Sequence, residues 1–390
     1  MRLLHTSDWH LGRTLFEYSL LQDQQAFLDW LVVLIEEREV DAVLIAGDIY
    51  DRPVPSAQAV RLYDDFLTRV VAELRVPVLA IAGNHDSASR LEFGSSLYRG
   101  AGYHIAGQPV KTIQKAVLEK DGTLLHVHLL PYLHPADVRA LLADSEIRTF
   151  DDAYRAILEE NTSRLEENAC NILMAHGFFS MLGASSGDKA MITSDSELNI
   201  GGIDIADAAH FAPFDYVALG HLHAPQWTQQ ERVRYSGSPL KYSLSEERQS
   251  KSVTLLDIEG KAIRTEVLPV PPLREVRTVS GKLTDLLDPA FHRDNPDFGD
   301  YVFAEIQGEE VPFAMEKLRA LFPRLLGLSF SASRHDSSRE INLQAKREKL
   351  STEELFLRFY REIRGDEPSS EQRRLIQETI QKMETEPEDK

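Results

Sequence analysis

Five polar clusters between residues 8 and 223 contain the residue types that bind metals or transfer protons. The clusters are Asp8-x-His10, Gly47-Asp48-x-x-Asp51, Gly83-Asn84-His85-Asp86, His176-Gly177 and Gly220-His221-x-His223. Aspartate and histidine are the usual protein ligands of manganese, iron and zinc. A lone histidine at the end of a strand is more often a structural residue, but five such clusters in one chain predict a metal site.

The elements that position these clusters can be predicted from the residues around them. Each cluster ends a short apolar run that has the length of a buried strand and contains many β-branched residues. Two stretches of helical periodicity, residues 20–38 and 56–75, lie between the first three runs. Strand–helix–strand order predicts parallel strands in a covered sheet, with ligands beyond the carboxyl ends of the strands. We therefore expect the five clusters to meet at one edge of the fold.

The remaining sequence predicts further elements and domain boundaries. Residues 103–130 and 232–268 contain short strand-like runs and turn signals such as Asp121-Gly122, which predict a second, more antiparallel sheet. The proline-rich tract Leu268–Leu273 predicts a domain boundary. The predicted domains are a first domain over 1–268, a small α+β domain over 269–338, and a charged helical region over 339–390 with a disordered end.

Composition limits the functions that the chain can have. Its one cysteine, Cys170, excludes an internal disulfide and fits a reducing compartment. The N-terminus lacks the apolar core of a secretory signal, and the apolar runs are shorter than a membrane span of roughly 20 residues. We therefore expect a cytoplasmic protein. The net charge of −19 excludes a broad basic face for nucleic acid, so binding to nucleic acid would need local patches, bound cations or a partner chain.

The order of the five clusters resembles the signature of the calcineurin-like metallophosphoesterases: D-x-H, G-D-x-x-[DH], G-N-H-[DE], H and G-H-x-H. The resemblance implies an α/β fold, a two-layer β sandwich flanked by helices, with two metals at the loop ends. One metal would be held by Asp8, His10 and His223, and the other by Asn84, His176 and His221. Asp48 would bridge the metals, because the two oxygens of a carboxylate can reach two cations. Two metals roughly 3.5–4 Å apart suit phosphoester hydrolysis.

Three adjacent polar residues of the third cluster are expected to have different roles. Asn84 would be a neutral metal ligand, and the resemblance implies that His85 is the general acid that protonates the leaving group. For Asp86 the favoured interpretation is a turn residue that binds local backbone amides, and the alternative is a direct catalytic role. Asp51 is a candidate for orienting His85.

Four further segments, residues 5–12, 183–202, 218–223 and 234–253, resemble the family of bacterial SbcD exonuclease subunits. This resemblance implies a manganese-dependent nuclease that cuts duplex DNA ends and hairpins in double-strand-break repair and recombination. The small domain over 269–338 would be a capping domain that positions DNA over the metals.

The same resemblance implies two partner chains. The tail helices would bind SbcC, an ATPase of the structural-maintenance-of-chromosomes type, although they could instead fold back on this chain. A homodimer would form through helices within residues 55–100, which gives a heterotetramer with SbcC. Four arginines are candidates for DNA contacts, each with the alternative of a solvated surface residue: Arg13, Arg52, Arg90 and Arg99.

Two other functional classes compete with the nuclease. One is a stand-alone phosphatase or nucleotidase that acts on a small phosphoester. The other is a non-catalytic scaffold, against which the complete ligand set and His85 argue. Several conspicuous residues have structural interpretations as packing or core residues: His5, Trp9, His126, His128, Cys170 and Leu222.

Overall fold

The computed structural model describes residues 1–181, 191–195, 205–228, 230, 232–288, 291, 299–308, 310–331, 369 and 372–373. Residues 1–332 form one compact unit, and residues 333–390 are a separate one. The two amphipathic helices that the sequence predicts in the charged tail lie outside the described residues. Within the described part of the chain, no helix has the length and apolar character needed to cross a membrane.

The described chain contains nineteen strands and eight α-helices. The strands are β1 Arg2–Thr6, β2 Thr14–Leu15, β3 Tyr18–Ser19, β4 Ala42–Ala46, β5 Val78–Ile81, β6 Tyr103–Ala106, β7 Gln114–Lys120, β8 Thr123–Leu129, β9 Cys170–His176, β10 Phe178–Ser180, β11 Ile205–Asp207, β12 Tyr216–Gly220, β13 Gln226–Trp227, β14 Val233–Tyr235, β15 Ser252–Glu259, β16 Ala262–Pro269, β17 Val276–Gly281, β18 Tyr301–Gln307 and β19 Leu325–Ser331. The helices are α1 Leu21–Glu37, α2 Ala57–Leu67, α3 Ala88–Glu92, α4 Ser95–Tyr98, α5 Pro135–Leu142, α6 Phe150–Thr162, α7 Leu283–Leu286 and α8 Ala314–Arg319.

The first sheet has six strands in the order β16-β15-β1-β4-β5-β6. β1, β4, β5 and β6 run parallel, with α1 and α2 as crossover connections between the first three. This confirms the predicted strand–helix–strand units. β15 pairs antiparallel with β1, and β16 pairs antiparallel with β15.

The second sheet has the order β13-β14-β12-β9-β8-β7. Its four central strands run parallel, and only the edge strands β7 and β13 pair antiparallel. The predicted Asp121-Gly122 hairpin is confirmed between β7 and β8, with both turn residues at positive φ. The expectation of a more antiparallel second sheet is wrong. The 252–269 hairpin belongs to the first sheet, because its edge pairs with β1 at the start of the chain, and a sequence pattern does not record such a distant partner.

The two sheets pack face to face, as the resemblance implied. One buried cluster joins Leu3, Leu44 and Leu79 of the first sheet to Val127 and Ile172 of the second. The helices cover the outer faces: α1 and α2 contribute to the core cluster of the first sheet, and α6 contributes to that of the second. The fold is therefore a two-layer β sandwich flanked by helices.

A small three-stranded parallel sheet, β17-β18-β19, follows the sandwich. It has its own hydrophobic cluster with α7 and α8. Asp23 of α1 holds it to the sandwich, because its Oδ2 accepts from Tyr301 Oη and Arg274 Nη1, each at 2.8 Å. Thr278 of β17 donates its N–H and hydroxyl to the Glu247 carboxylate at 2.6 and 2.7 Å. The domain boundary near residue 268 stays a prediction.

Candidate metal centre

The predicted site residues lie together at the carboxyl ends of five parallel strands, contributed by both sheets. Asp8 and His10 follow β1, Asp48 follows β4, and Asn84 and His85 follow β5. His176 is the last residue of β9, and His221 and His223 follow β12. Since β1, β4 and β5 are neighbours in one sheet and β9 and β12 are neighbours in the other, two rows of strand ends face each other across the site.

The first ligand group of the sequence prediction consists of Asp8, His10 and His223. Their candidate ligand atoms lie within 4.8 Å of one another, and all three residues are buried. The Nε2 atoms of His10 and His223 are 3.1 Å apart. Two ring nitrogens at this distance share at most one proton, so a cation placed between them would be a partner for both.

The second predicted group gathers around the amide of Asn84. Its Oδ1 lies 3.0 Å from His176 Nε2 and 3.1 Å from His221 Nδ1. An amide oxygen and two imidazoles form a neutral donor set, which suits a borderline divalent cation. The structure therefore brings both predicted groups together.

Asp48 lies between the two groups. Its Oδ2 is 3.6 Å from His10 Nε2 and 3.5 Å from His176 Nε2. Its Oδ1 accepts the backbone N–H of His85 at 2.9 Å. The sequence reasoning assigned one oxygen to each metal, but in the structure a single oxygen faces both groups and the other is engaged by the backbone.

Strained backbone holds several of these residues in place. Asp8, His10, Asp48 and His221 all have positive φ, at 54°, 43°, 51° and 110°. Non-glycine residues in this region cost on the order of 1–3 kcal/mol each, and such strain concentrates at functional sites. Hydrogen bonds between the loops after β1 and β4 maintain the conformation, from Asp8 N to Gly47 O and from His10 N to Asp48 O.

Glycine precedes three of the predicted ligands because the loops approach one another closely. A Cβ at Gly220 would lie 1.9 Å from Ala46 O. A Cβ at Gly83 would lie 2.2 Å from Asp48 Oδ1 and 2.4 Å from Asp48 N. The glycines of the motifs therefore let strand ends of the two sheets approach within contact distance.

Gly83→Ala is expected to lower the free energy of unfolding by about 1–3 kcal/mol through overpacking and to reduce activity, because the new methyl group displaces the Asp48 carboxylate. Chemical denaturation and a cleavage assay measure the two effects. Gly299→Ala is the matched control, since a Cβ at Gly299 would meet no atom of the described residues within 4 Å. Equal stability and activity in both variants would contradict the close approach.

Burial and the charges of neighbouring side chains shift the pKa values of the site residues. Burial raises the pKa of Asp8 to about 7, and the charge of Asp48 adds to the rise. Burial alone would lower the pKa of His176, but the carboxylates of Asp48 and Asp8 outweigh it and raise the pKa to about 9. Burial and the nearby His176 lower the pKa of His221 to about 3. A divalent cation bound here would neutralise the carboxylates that the His176 proton otherwise neutralises. The donors therefore fit a metal centre that releases protons when it binds metal.

His85 lies beside the two ligand groups and is only partly buried. Its ring is edge-on to His10, with the ring centres 4.7 Å apart. Its Nδ1 lies 2.9 Å from the backbone oxygen of Asp51. Asp51 therefore orients His85 through its main chain, so the contact does not depend on the Asp51 side chain.

Asp86 anchors the loops beneath the site. Its carboxylate accepts three backbone N–H groups, from Gly83 at 3.0 Å, Ile49 at 3.1 Å and Tyr50 at 3.0 Å. These bonds join the loops after β4 and β5. The contact with Gly83 matches the favoured interpretation of Asp86 as a turn residue that binds local backbone amides, whereas the contacts with Ile49 and Tyr50 reach a distant loop that the interpretation did not include.

Arg13 lies at the edge of the site. Its Nη1 is 3.1 Å from Asp51 Oδ1, and its guanidinium lies 5.0 Å from the ring centre of Tyr242. The Tyr242 ring in turn contacts His10 and His223 edge-on. Arg13 is thus held against the site, whereas the Arg52 side chain is 77% exposed.

Sequence reasoning missed two residues behind His223. Its Nδ1 lies 3.1 Å from Glu246 Oε1, and Glu246 Oε2 accepts from Lys251 Nζ at 2.6 Å. Both residues lie in the 234–253 segment, where charged residues in a turn predict only a solvated loop. The only sequence evidence that this segment is functional was its overall similarity to one family. Such similarity does not identify individual contacts.

The residues with structural interpretations lie in the core. Trp9 is fully buried against Phe27 and Phe66, and Leu222 is 1% exposed. His5 contacts Tyr216 Oη and Leu219 O between the sheets. The others are buried as well: His126 lies 3.3 Å from Lys115 Nζ, His128 lies 3.1 Å from Asn171 Oδ1, and Cys170 is 1% exposed.

Comparisons with known proteins give two family models and a curated relative that match this chain. Residues 1–225 match a family model described as calcineurin-like phosphoesterase, and residues 272–364 match one described as Type 5 capsule protein repressor C-terminal domain. The SbcD subunit of the nuclease SbcCD from Staphylococcus epidermidis is 34% identical over 350 residues, which are 88% of this chain and 90% of that protein.

Matches among solved structures include TT1561 of Thermus thermophilus and a dimetal phosphatase from Danio rerio. The first has 14% identity and a TM-score of 0.38, covering 68% of this chain and 98% of that chain. The second has 14% identity and a TM-score of 0.35, covering 70% of this chain and 99% of that chain.

Proposed function

Since the chain belongs to the calcineurin-like phosphoesterases and, within them, to the family of SbcD nuclease subunits, we propose that it cleaves DNA during double-strand-break processing. It is a metal-dependent phosphoesterase of the nuclease type. A stand-alone phosphatase is not favoured, because the nuclease similarity covers 88% of the chain. The observation that carries the proposal is the convergence of two ligand groups, with Asp48 between them and His85 beside them.

The first metal is assigned to Asp8, His10 and His223, the second to Asn84, His176 and His221, and Asp48 to both. Two cations held there would bind the phosphate oxygens of the substrate, screen their charge and lower the pKa of the attacking water. Manganese is the proposed metal from family membership, since the donors suit iron and zinc as well. We propose a location in the cytoplasm at the nucleoid, because the DNA substrate is found there.

His85 is assigned as the general acid. Its Nδ1–H donates to the Asp51 carbonyl, which leaves Nε2 as the nitrogen that can deliver a proton to the departing oxygen. The backbone N–H of His85 is bound to Asp48. The proton donor and the residue assigned to both metals are thus fixed to each other by one hydrogen bond.

Arg13 is assigned to a phosphate of the DNA backbone. It is held by Asp51 and by the Tyr242 ring, next to His10 and His223. Contacts of this kind position DNA and carry no sequence information. The small sheet is assigned as the capping element, because Tyr18, in the hairpin that follows Arg13, reaches the backbone oxygen of Leu325 at 3.3 Å.

SbcC is the proposed partner of the charged tail, residues 339–390. Family membership supports this assignment, and the similarity to the C-terminal family model extends to residue 364. Much of the DNA contact would then come from SbcC and the metals, which reconciles DNA cleavage with a net charge of −19.

A second copy of the chain is the proposed partner of the surface formed by α2, α3 and α4. Phe93 and Leu97 are 79% and 80% exposed there, and Val60 and Tyr98 are about half exposed. Val60, Phe93 and Tyr98 line a groove of 510 Å³ whose side chains are largely apolar. Protruding apolar side chains beside an apolar groove suit a symmetric contact, in which each copy fills the groove of the other.

Leu97→Asp is expected to convert the homodimer into a folded monomer, because Leu97 is 80% exposed and its substitution removes little packing within its own chain. Sedimentation equilibrium measures the change. Val117→Asp is the control, since Val117 is 54% exposed on the edge strand β7. A monomeric wild type, or a Leu97→Asp dimer, would refute this surface.

The nuclease assignment is tested with purified protein on end-labelled duplex and hairpin DNA, with manganese, magnesium or zinc. We expect manganese-dependent cleavage that SbcC and ATP stimulate. A chain that ends at residue 338 is expected to bind metals as the full chain does but to lose the stimulation by SbcC. Efficient hydrolysis of small phosphoesters with no DNA cleavage, even with SbcC present, would overturn the proposal.

A further inference from the structure

A buried turn lies directly behind His223, between β14 and β15. The Glu246 side chain in this turn is fully buried, and its Oε1 lies 3.1 Å from His223 Nδ1. Its other oxygen, Oε2, accepts from Lys251 Nζ at 2.6 Å and from the backbone N–H of Tyr242 at 3.2 Å. The carboxylate is therefore bound on both sides: the His223 ring and the Ser243 hydroxyl, at 3.4 Å, contact Oε1, and two donors contact Oε2.

Lys251 is the charged partner of the Glu246 carboxylate. It is 7% exposed, and besides Glu246 its ammonium donates to the backbone oxygen of His223 and to Ser238 Oγ, each at 2.9 Å. It also donates to Gln249 Oε1 at 2.7 Å. A buried charge is costly unless it is paired and hydrogen-bonded. Lys251 therefore balances the Glu246 charge and also fixes the backbone of the histidine that Glu246 contacts.

These contacts determine which ring nitrogen of His223 carries the proton. Glu246 Oε2 accepts from the Lys251 ammonium and from the backbone N–H of Tyr242, so the carboxylate is paired with a cation on that side and Oε1 faces His223. An ionised carboxylate only accepts hydrogen bonds. His223 Nδ1 must therefore carry the proton, which leaves the lone pair on Nε2, the nitrogen that lies 3.1 Å from His10 Nε2.

We propose that Glu246 is a positioning residue that fixes the ring orientation and tautomer of His223, so that Nε2 faces the first metal, with Lys251 as its counter-ion. The inference rests on the metal assignment of the proposed function. Carboxylates that hold a metal-binding histidine through its other nitrogen both orient the ring and raise its basicity. His176, by comparison, has its Nδ1 2.8 Å from the backbone oxygen of Ala46.

Glu246→Gln tests the assignment without a change in side-chain size. Lys251 and Tyr242 both donate to the position of Oε2, so the amide oxygen will take that position. The amide nitrogen then occupies the position of Oε1 and donates to His223 Nδ1, which moves the ring proton to Nε2. The variant is expected to invert the tautomer and to place a hydrogen atom where the metal would bind.

Two measurements report this change. Long-range nitrogen–proton correlation spectra of the metal-free protein, with the His223 signal assigned through its loss in His223→Gln, are expected to show the proton on Nδ1 in the wild type and on Nε2 in Glu246→Gln. Calorimetric titration with Mn²⁺ is expected to show a loss of roughly 10- to 100-fold in affinity at one of the two sites.

Asp300→Asn is the matched control, because Asp300 is also a buried carboxylate that accepts from a basic side chain, Arg277, but its hydrogen bonds lie within the small sheet and away from the ligand groups. It is expected to keep both Mn²⁺ affinities. If Glu246→Gln does not fold, the double variant Glu246→Met with Lys251→Met removes the acceptor and the buried charge together and is expected to lose the same site.

An unchanged tautomer or two unchanged Mn²⁺ affinities in Glu246→Gln would overturn the inference. His223→Gln separates this failure from a failure of the proposed function. If His223→Gln also keeps both affinities, the metal assignment is wrong. If it loses one site while Glu246→Gln loses none, only the role of Glu246 is wrong.

Discussion

Replacing His85 with alanine is expected to slow DNA cleavage by roughly 10²- to 10⁴-fold, the usual contribution of a general acid, with both metals retained. The His85 ring lies next to the ligand groups but outside both of them, and it is held by the Asp51 backbone. The hydrogen bond to Asp48 comes from the backbone N–H of His85, which alanine keeps. The substitution is therefore expected to remove the proposed proton donor and to leave the proposed metal centre in place.

Cleavage rates under single-turnover conditions and metal content by elemental analysis measure the two parts of this expectation. His126→Gln is the control, because His126 is a buried histidine of β8 outside the site. A leaving group that needs no proton, such as a nitrophenolate ester, should restore much of the lost rate. Wild-type cleavage of DNA by His85→Ala would show that another group donates the proton.

The second large effect is expected from Asp48→Asn. The amide oxygen must remain at the position of Oδ1, where the His85 N–H donates, so the amide nitrogen takes the position of Oδ2. A donor then faces His10 and His176 at the point where both metals need an anionic oxygen. We expect binding of both metals to weaken and cleavage to fall by roughly 10³-fold or more, since metal ions supply several kcal/mol of transition-state stabilisation.

Asp300→Asn controls for the loss of a buried carboxylate elsewhere. Asp300 is 8% exposed and accepts from Glu275 N and Arg277 Nε in the small sheet, at 2.8 and 2.9 Å. Calorimetric titration with Mn²⁺ should give two sites in this control and weak binding throughout in Asp48→Asn. Loss of only one site in Asp48→Asn would show that Asp48 serves one metal and does not bridge.

The position of the site could be predicted because each group of metal-binding or proton-transferring residue types follows a short apolar run. Asp8, Asp48 and Asn84 come directly after parallel strands whose order along the chain is also their order in the sheet. Local sequence therefore determines which strand ends are adjacent. The glycines before Asp48, Asn84 and His221 belong to the same local pattern, since they allow the loops to approach.

The parts that could not be predicted depend on distant pairing or on main-chain atoms. The hairpin of β15 and β16 joins the first sheet through β1, which lies about 250 residues away in the sequence. His85 is oriented by the Asp51 carbonyl, an atom that every residue type provides. Glu246 and Lys251 have the composition of a solvated loop, and only their burial behind His223 distinguishes them from one.

The contact between Thr278 and Glu247 connects the small sheet to the same turn that carries Glu246. Two equilibria that share one structural element are linked, and the linkage is reciprocal: the factor by which sheet docking strengthens metal binding equals the factor by which metal strengthens docking. Mechanical load that a partner chain applies to the small sheet would therefore act on the metal site through this turn, and bound metals would oppose separation of the sheet from the turn.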